Sequence, residues 1–261
     1  MKRFPYFLSF ALVILSSCSG VPMPSTIAAP TSSPSDTPEP TYTPLPTETA
    51  TPSPTATPNA SATAIFRTTQ AAGEVLSELD NVLEDSDIPY QEGHLAWQQT
   101  GPIAIHMSGP DQQFTEIDDT LRAGNFILKS DVTWEATGLL ICGAIFRSEP
   151  NLEQGKQYQF YFLRFSGLPA WTIGVHEFGQ FQNSPTKAKF SDALDLGNGA
   201  TNQFILVVED DHFTLYLNSV RQGTYFDYSE QRSDGSMGFL GAQQSGKGTC
   251  QFENSWVWAL E

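Results

Sequence analysis

Basic residues are scarce in this sequence, with 13 Lys and Arg against 29 Asp and Glu. A surface of that sign repels phosphate backbones, which argues against nucleic acid as a partner. Histidine is also scarce, and His94, His106, His176 and His212 are scattered without the spacing that a metal site needs. No nucleophile elbow, phosphate loop or His-Glu-x-x-His motif occurs. The pattern that begins at Glu116-Ile117-Asp118 lacks a third carboxylate at the strand spacing of a glycosidase pair. Glu78, Asp80 and Glu84 fall in a helical stretch at the wrong spacing. The sequence therefore nominates no catalytic residue, no metal and no cofactor. The turn Glu209-Asp210-Asp211 offers oxygens that calcium takes, but an exposed hairpin is its stronger reading.

Helical periodicity is nearly absent as well. Only Ala62 to Asp85 repeats apolar residues at three- and four-residue steps, through Val75, Leu76, Leu79, Val82 and Leu83. No apolar run reaches bilayer length, since Phe4 to Leu15 is too short for a permanent span.

The first 17 residues are an address instead. Lys2 and Arg3 supply a positive start, an apolar run follows, and small residues lead to Cys18. Leu15-Ser16-Ser17-Cys18 resembles the lipobox of bacterial lipoproteins. That resemblance implies cleavage before Cys18, acylation of its thiol and amine, and anchorage of an exported chain in the cell membrane or outer membrane. Residues 18–61 then read as a Pro/Thr/Ser-rich tether, as in Thr51-Pro52-Ser53-Pro54. Eleven of the 18 prolines fall between Val21 and Ala60. Proline fixes φ and removes a donor, so neither helix nor sheet propagates there. Extended at about 3.1 Å per residue, such a tether reaches roughly 120 Å.

After the helical segment 62–88, the stretch 89–261 reads as strands. Ten short apolar or alternating runs lie between Ile103 and Ala259, most separated by Gly, Asp, Asn or Ser. With no helical pattern between them, they predict an all-β antiparallel β-sandwich. In Phe213–Asn218, alternation puts Phe213, Leu215 and Leu217 on one face and Thr214, Tyr216 and Asn218 on the other, as in a half-buried strand.

Several motifs resemble the concanavalin A-like jelly rolls, in their laminin-G-like and 3-keto-disaccharide hydrolase-like branch. Gly143-Ala144-Ile145-Phe146-Arg147 and Tyr158-Gln159-Phe160-Tyr161-Phe162 are similar to that group's "G-x-x-F-R" and "Y-x-F" strands. Phe213-Thr214-Leu215-Tyr216-Leu217-Asn218 resembles its "x-L-x-V-N-G" strand, with Ser219 in place of glycine. Phe226-Asp227, Gly235-Ser236-Met237-Gly238-Phe239-Leu240 and Phe252-Glu253-Asn254 complete the order, Glu253 standing where aspartate is usual. The resemblance covers roughly residues 120–261 and implies two curved sheets, the concave one often presenting a ligand groove. It also implies that the terminal strand lies near Cys142. An exported protein meets an oxidising environment, so Cys142 and Cys250 are expected as a disulfide, the alternative being two buried thiols.

Saccharides are held by aromatic faces and by polar side chains that pair with hydroxyls. Candidates in the central strands are Arg147, Tyr158, Trp171, His176 and Tyr216. Arg147 leads, because a buried arginine needs a partner. The reading that follows is a surface-displayed, non-catalytic binding module for glycan or an envelope polymer. A glycan hydrolase or lyase of the 3-keto-disaccharide hydrolase type is the enzymatic alternative, and a structural envelope component is the third.

Overall fold

The computed structural model describes residues 60–84, 86–165, 167–228 and 232–260. The leader, Cys18 and the tether up to residue 59 lie outside the described residues.

Helix α1 (Ala60–Leu83) and one 3-10 turn at Tyr90–Glu92 precede fourteen strands. These are β1 (His94–Gln98), β2 (Ile103–Ser108), β3 (Asp111–Glu116), β4 (Phe126–Ala136), β5 (Leu140–Ser148), β6 (Gln157–Phe165) and β7 (Leu168–Glu177). They continue as β8 (Gln180–Asn183), β9 (Lys189–Phe190), β10 (Ala200–Glu209), β11 (His212–Leu217), β12 (Val220–Phe226), β13 (Ser236–Gln243) and β14 (Lys247–Ala259). All ten anticipated strands are present. The other four, β1, β3, β8 and β9, lack a strong apolar signal; β8, for instance, is exposed at every residue.

Two antiparallel sheets face each other. The first runs β1-β14-β4-β10-β11-β12, with β2 also on β14, and the second runs β3-β13-β5-β6-β7-β8, with β9 on β7. Long β14 pairs with β4 along one edge, with a bulge between Glu253 and Trp256, and with two strands along the other. The half before the bulge pairs with β2 and the half after it with β1. At the bulge Asn254 adopts φ 51°, a conformation asparagine tolerates better than most residues.

Period-two alternation sorts the side chains into layers. Phe126, Leu128, Phe204, Leu206, Phe213 and Leu215 of the first sheet meet Phe146, Phe160, Phe162, Ile173 and Phe239 of the second. Phe239 stacks on Phe252 at 4.1 Å between ring centres. The disulfide Cys142–Cys250 joins β5 to β14, and so crosses from one sheet to the other inside this layer.

The opposite face of the first sheet is also dry. Ile127, Ile205, Val207, Tyr216, Trp256 and Trp258 point outward and are covered by Val75, Leu79 and Leu83 of α1. Strand β11 is therefore buried on both faces, where alternation alone predicts one solvated face. The cause is α1, whose apolar stripe seats on the sheet. Glu78 fixes the seat, since its carboxylate accepts the Trp256 indole N–H at 3.1 Å and pairs with the Lys129 ammonium at 3.4 Å. Among the described residues no helix is long and apolar enough to cross a membrane.

Candidate functional site

The outer face of each sheet is partly covered by the chain itself. The first is capped by α1. On the second, Leu152 from the β5–β6 connection packs over Ile145 and Leu240. The Thr172 hydroxyl there donates to the Thr186 carbonyl at 2.9 Å. Segments of this chain thus cover part of each sheet's outer face, and two openings among the described residues are a cavity of about 330 Å³ between α1 and the β14 bulge, lined by Glu74, Glu78, Gln99 and Lys129, and a larger one at the strand ends.

The larger opening is a cavity of about 680 Å³ where β4 begins and where β5 and β12 end. Its wall includes Arg147, Tyr158, Asp227, Arg232 and Asp234, together with the β10–β11 turn at Asp210 and Asp211. Local backbone features aim these groups. Arg147 has φ 49° at the end of β5, beside a break in the β5–β13 register between Ser236 and Gly238. A bulge of this kind re-aims a side chain. Asp210 turns the β10–β11 hairpin with φ 50°. Gly235 has φ 154°, and a Cβ there would sit 2.2 Å from the Ser148 carbonyl oxygen, so the chain passes β5 closely only as glycine.

Arg147 is 3% exposed and clasps the loops around it. Its Nε donates to the Gly124 carbonyl at 2.9 Å, and Nη1 donates to the carbonyls of Asp210 at 2.6 Å and Arg232 at 3.3 Å. Its Nη2 donates to Asn125 Oδ1 at 3.2 Å. Burial pushes the guanidinium pKa down, and Tyr158 and the surrounding aspartates oppose that shift. Arg232 reaches back, its Nε donating to the Arg147 carbonyl at 2.6 Å.

Tyr158 stacks on Phe146 at 5.2 Å in the core, while its hydroxyl hydrogen-bonds the carboxylate of buried Asp227. The neighbours of Asp227 in sequence face outward. Phe226 and Tyr228 stack on each other with nearly parallel planes, 12° apart and 5.8 Å between ring centres, and are 42% and 86% exposed. His212 meets the Phe226 ring edge-on at 4.3 Å, and its Nδ1 is 2.6 Å from the Asp211 carboxylate. Two exposed aromatic rings thus flank in sequence the buried carboxylate of the cavity.

The structure brings Arg147 and Tyr158 together and separates the other sequence candidates from them. Trp171 is a core residue, 1% exposed, with Tyr225 edge-on at 5.3 Å. Tyr216 lies under α1. His176 sits on the outer face of the second sheet between Tyr161 and Phe181, its Nε2 buried without a hydrogen-bond partner. Burial lowers its pKa to about 4. Asp227, Arg232, Asp234, Phe226 and Tyr228 are not among the candidates that the sequence offers. Phe226-Asp227 does occur in the family resemblance, whereas Arg232 and Asp234 carry no local signal. Asp118, weighed above for a glycosidase pattern, caps a turn by accepting the Thr120 amide at 2.8 Å. Among the described residues no cluster of three or more His, Cys, Asp or Glu is arranged to hold a metal.

No protein-family model matches the chain, and neither does any curated protein. The fold defines the class, an antiparallel two-sheet β-sandwich. Solved structures similar to it include the carbohydrate-binding module CBM66 from Bacillus subtilis, at 17% identity and TM-score 0.46, covering 58% of this chain and 83% of that one. Sheep galectin-11 in complex with glycerol is similar at 9% identity and TM-score 0.39, covering 58% of this chain and 98% of that one. An alginate lyase from Pseudomonas aeruginosa is similar at 15% identity and TM-score 0.36, covering 51% of this chain and 64% of that one. At these scores the likeness carries no residue role or ligand to this chain.

Proposed function

We propose that this domain is a non-catalytic carbohydrate-binding module, displayed outside the cell on a lipid-anchored tether, with the saccharide seated in the strand-end cavity. One observation carries the reading: a polar cavity of about 680 Å³ opens at the strand ends, and the two sequence neighbours of its buried Asp227, Phe226 and Tyr228, are exposed aromatic rings. Sugar rings have apolar C–H faces and polar rims, so an exposed aromatic face near hydrogen-bonding groups complements them. Exposure of 86% at Tyr228 gives its ring no role in the core. The anchor rests on Leu15-Ser16-Ser17-Cys18 alone.

The test uses the mature chain with Cys18→Ser, which keeps it soluble, on an array of neutral, amine-bearing and acidic oligosaccharides. Binding without product release is expected. Phe226→Ala with Tyr228→Ala should weaken it about tenfold or more, the loss of stacking being worth about 1–3 kcal/mol. Turnover of a disaccharide, or binding indifferent to the double substitution, would overturn the proposal.

A further inference from the structure

His176 is a partly buried titratable group outside the wall of the strand-end cavity. Its ring lies on the outer face of the second sheet, with Tyr161 edge-on at 6.3 Å and Phe181 edge-on at 5.6 Å. Nε2 is buried and has no hydrogen-bond partner. Phe181 is its cover. A Cβ on Gly174 would meet the Phe181 ring at 3.0 Å and His176 Nε2 at 3.3 Å, so ring and nitrogen share the space above that glycine. The surroundings hold no countercharge for a proton. Strand β6 brings the Gln157 backbone in register and the Tyr161 phenol, and β8 is Gln-Phe-Gln-Asn, without a charged residue. Glu177 follows on β7 and Glu153 passes beside Gly179, but among the described residues neither forms an ion pair with His176. Strand β8 itself is held lightly. It ends its sheet, is exposed at every residue, and pairs with β7 at three positions broken by a register shift between Val175 and His176. The chain on either side is pinned. The Phe178 amide donates to the Gln154 carbonyl at 2.9 Å, and the Ser184 hydroxyl donates to the Ile173 carbonyl at 2.5 Å. The Ile173 amide in turn donates to the Thr186 hydroxyl at 2.8 Å.

We propose that His176 and Phe181 form an acid-released latch: the neutral imidazole lets the Phe181 ring close over it and keeps β8 on the sheet, and protonation frees Gln180–Asn183 while the rest of the sandwich stays folded. An imidazolium carries a charge and two N–H donors. Under the closed ring its Nε2–H faces carbon, and a buried charge without an acceptor is costly. Lifting Phe181 admits water to that nitrogen at the expense of three pairs on a short edge strand. The open imidazole takes its proton near the ordinary 6.5 and the covered one at about 4, because burial opposes the charge. Each pH unit in that interval therefore favours the open form up to about tenfold. Release bares the outer edge of β7, whose N–H and C=O groups can then pair with another strand.

Hydrogen–deuterium exchange of the mature Cys18→Ser chain at about pH 7 and about pH 5, corrected for the intrinsic rate at each pH, reads the latch. Gln180–Asn183 should be protected at the higher pH and lose about tenfold or more of that protection at the lower one, while β4 and β10 keep theirs. His176→Gln cannot take the proton and should make β8 protection equal at the two pH values. Gly174→Ala places a methyl group 3.0 Å from the Phe181 ring. It should drive the ring off and leave β8 unprotected at both pH values, with β4 and β10 still protected. Four results would overturn the latch: β8 protection in the parent chain that is absent or indifferent to pH, loss of protection in β4 and β10 in step with β8, a pH response retained by His176→Gln, or a Gly174→Ala chain that behaves as its parent.

Discussion

At the scale of single residues, His176 sets up a dependence on pH. Its ring is packed edge-on by Tyr161 and Phe181, and its buried Nε2 has no partner, so the native fold favours the neutral imidazole. Its pKa falls from 6.5 to about 4. In the unfolded chain the same imidazole binds a proton as pH drops through 6.5, whereas in the native state it waits until about 4. The unfolded state therefore holds more protons across that interval, and stability falls as pH falls through it. Above 6.5 both states are neutral and His176 exerts no pH effect. His176→Gln should flatten the decline between pH 6.5 and 4, read as the change in denaturation midpoint across a pH series. An unchanged slope would show that other groups dominate there. Arg147 shows how far single residues are legible. A guanidinium on an apolar strand must find acceptors, and the sequence reveals that need. It conceals that they are main-chain oxygens at Gly124, Asp210 and Arg232, because carbonyls have no sequence signature.

Helix α1 is the element on which the first sheet depends. Its stripe Val75, Leu79 and Leu83 covers two tryptophans and a tyrosine that would otherwise face water. Leu79 is fully buried, so Leu79→Ala removes a methyl-rich side chain from a dry layer and should cost about 2–4 kcal/mol. Chemical denaturation would measure the loss. A red-shifted tryptophan emission in the native variant would show that Trp256 and Trp258 have become wetter. A cost below about 1 kcal/mol, with unchanged emission, would mean that α1 is not part of the cooperative fold. The existence of this helix is legible, because its apolar residues recur at helical steps. Its docking site is less so: alternation in Phe213–Asn218 shows two faces but cannot say that the second, carrying Tyr216, is also buried. The missed strands have a physical reason too. An edge strand such as β8 needs no apolar face, so Gln180–Asn183 carries no strand-like pattern.

Across the whole molecule, hydrogen bonds stabilise each sheet internally, but the two sheets meet largely through apolar side chains. Such contacts are non-directional, and they resist sliding only as well as the layer is packed. The Cys142–Cys250 disulfide is the covalent link between the layers, joining β5 to β14 across 108 residues of sequence. A link that closes so long a loop restricts the unfolded chain strongly, and the chain-entropy model puts its contribution at about 4–5 kcal/mol. Both cysteines are fully buried, so reductant reaches the bond only when the layers part. Cys142→Ala with Cys250→Ala should therefore lower the thermal midpoint clearly. Mild reductant should leave the wild-type midpoint nearly unchanged when the protein is incubated well below unfolding, and lower it when reduction is carried out in denaturant. Sensitivity to reductant under native conditions would mean that the sheets separate readily at the end bearing this bond. The clasp of Arg147 and the cavity wall depend on the same two layers staying in register, so the double variant should also bind saccharide more weakly at temperatures where it is still folded.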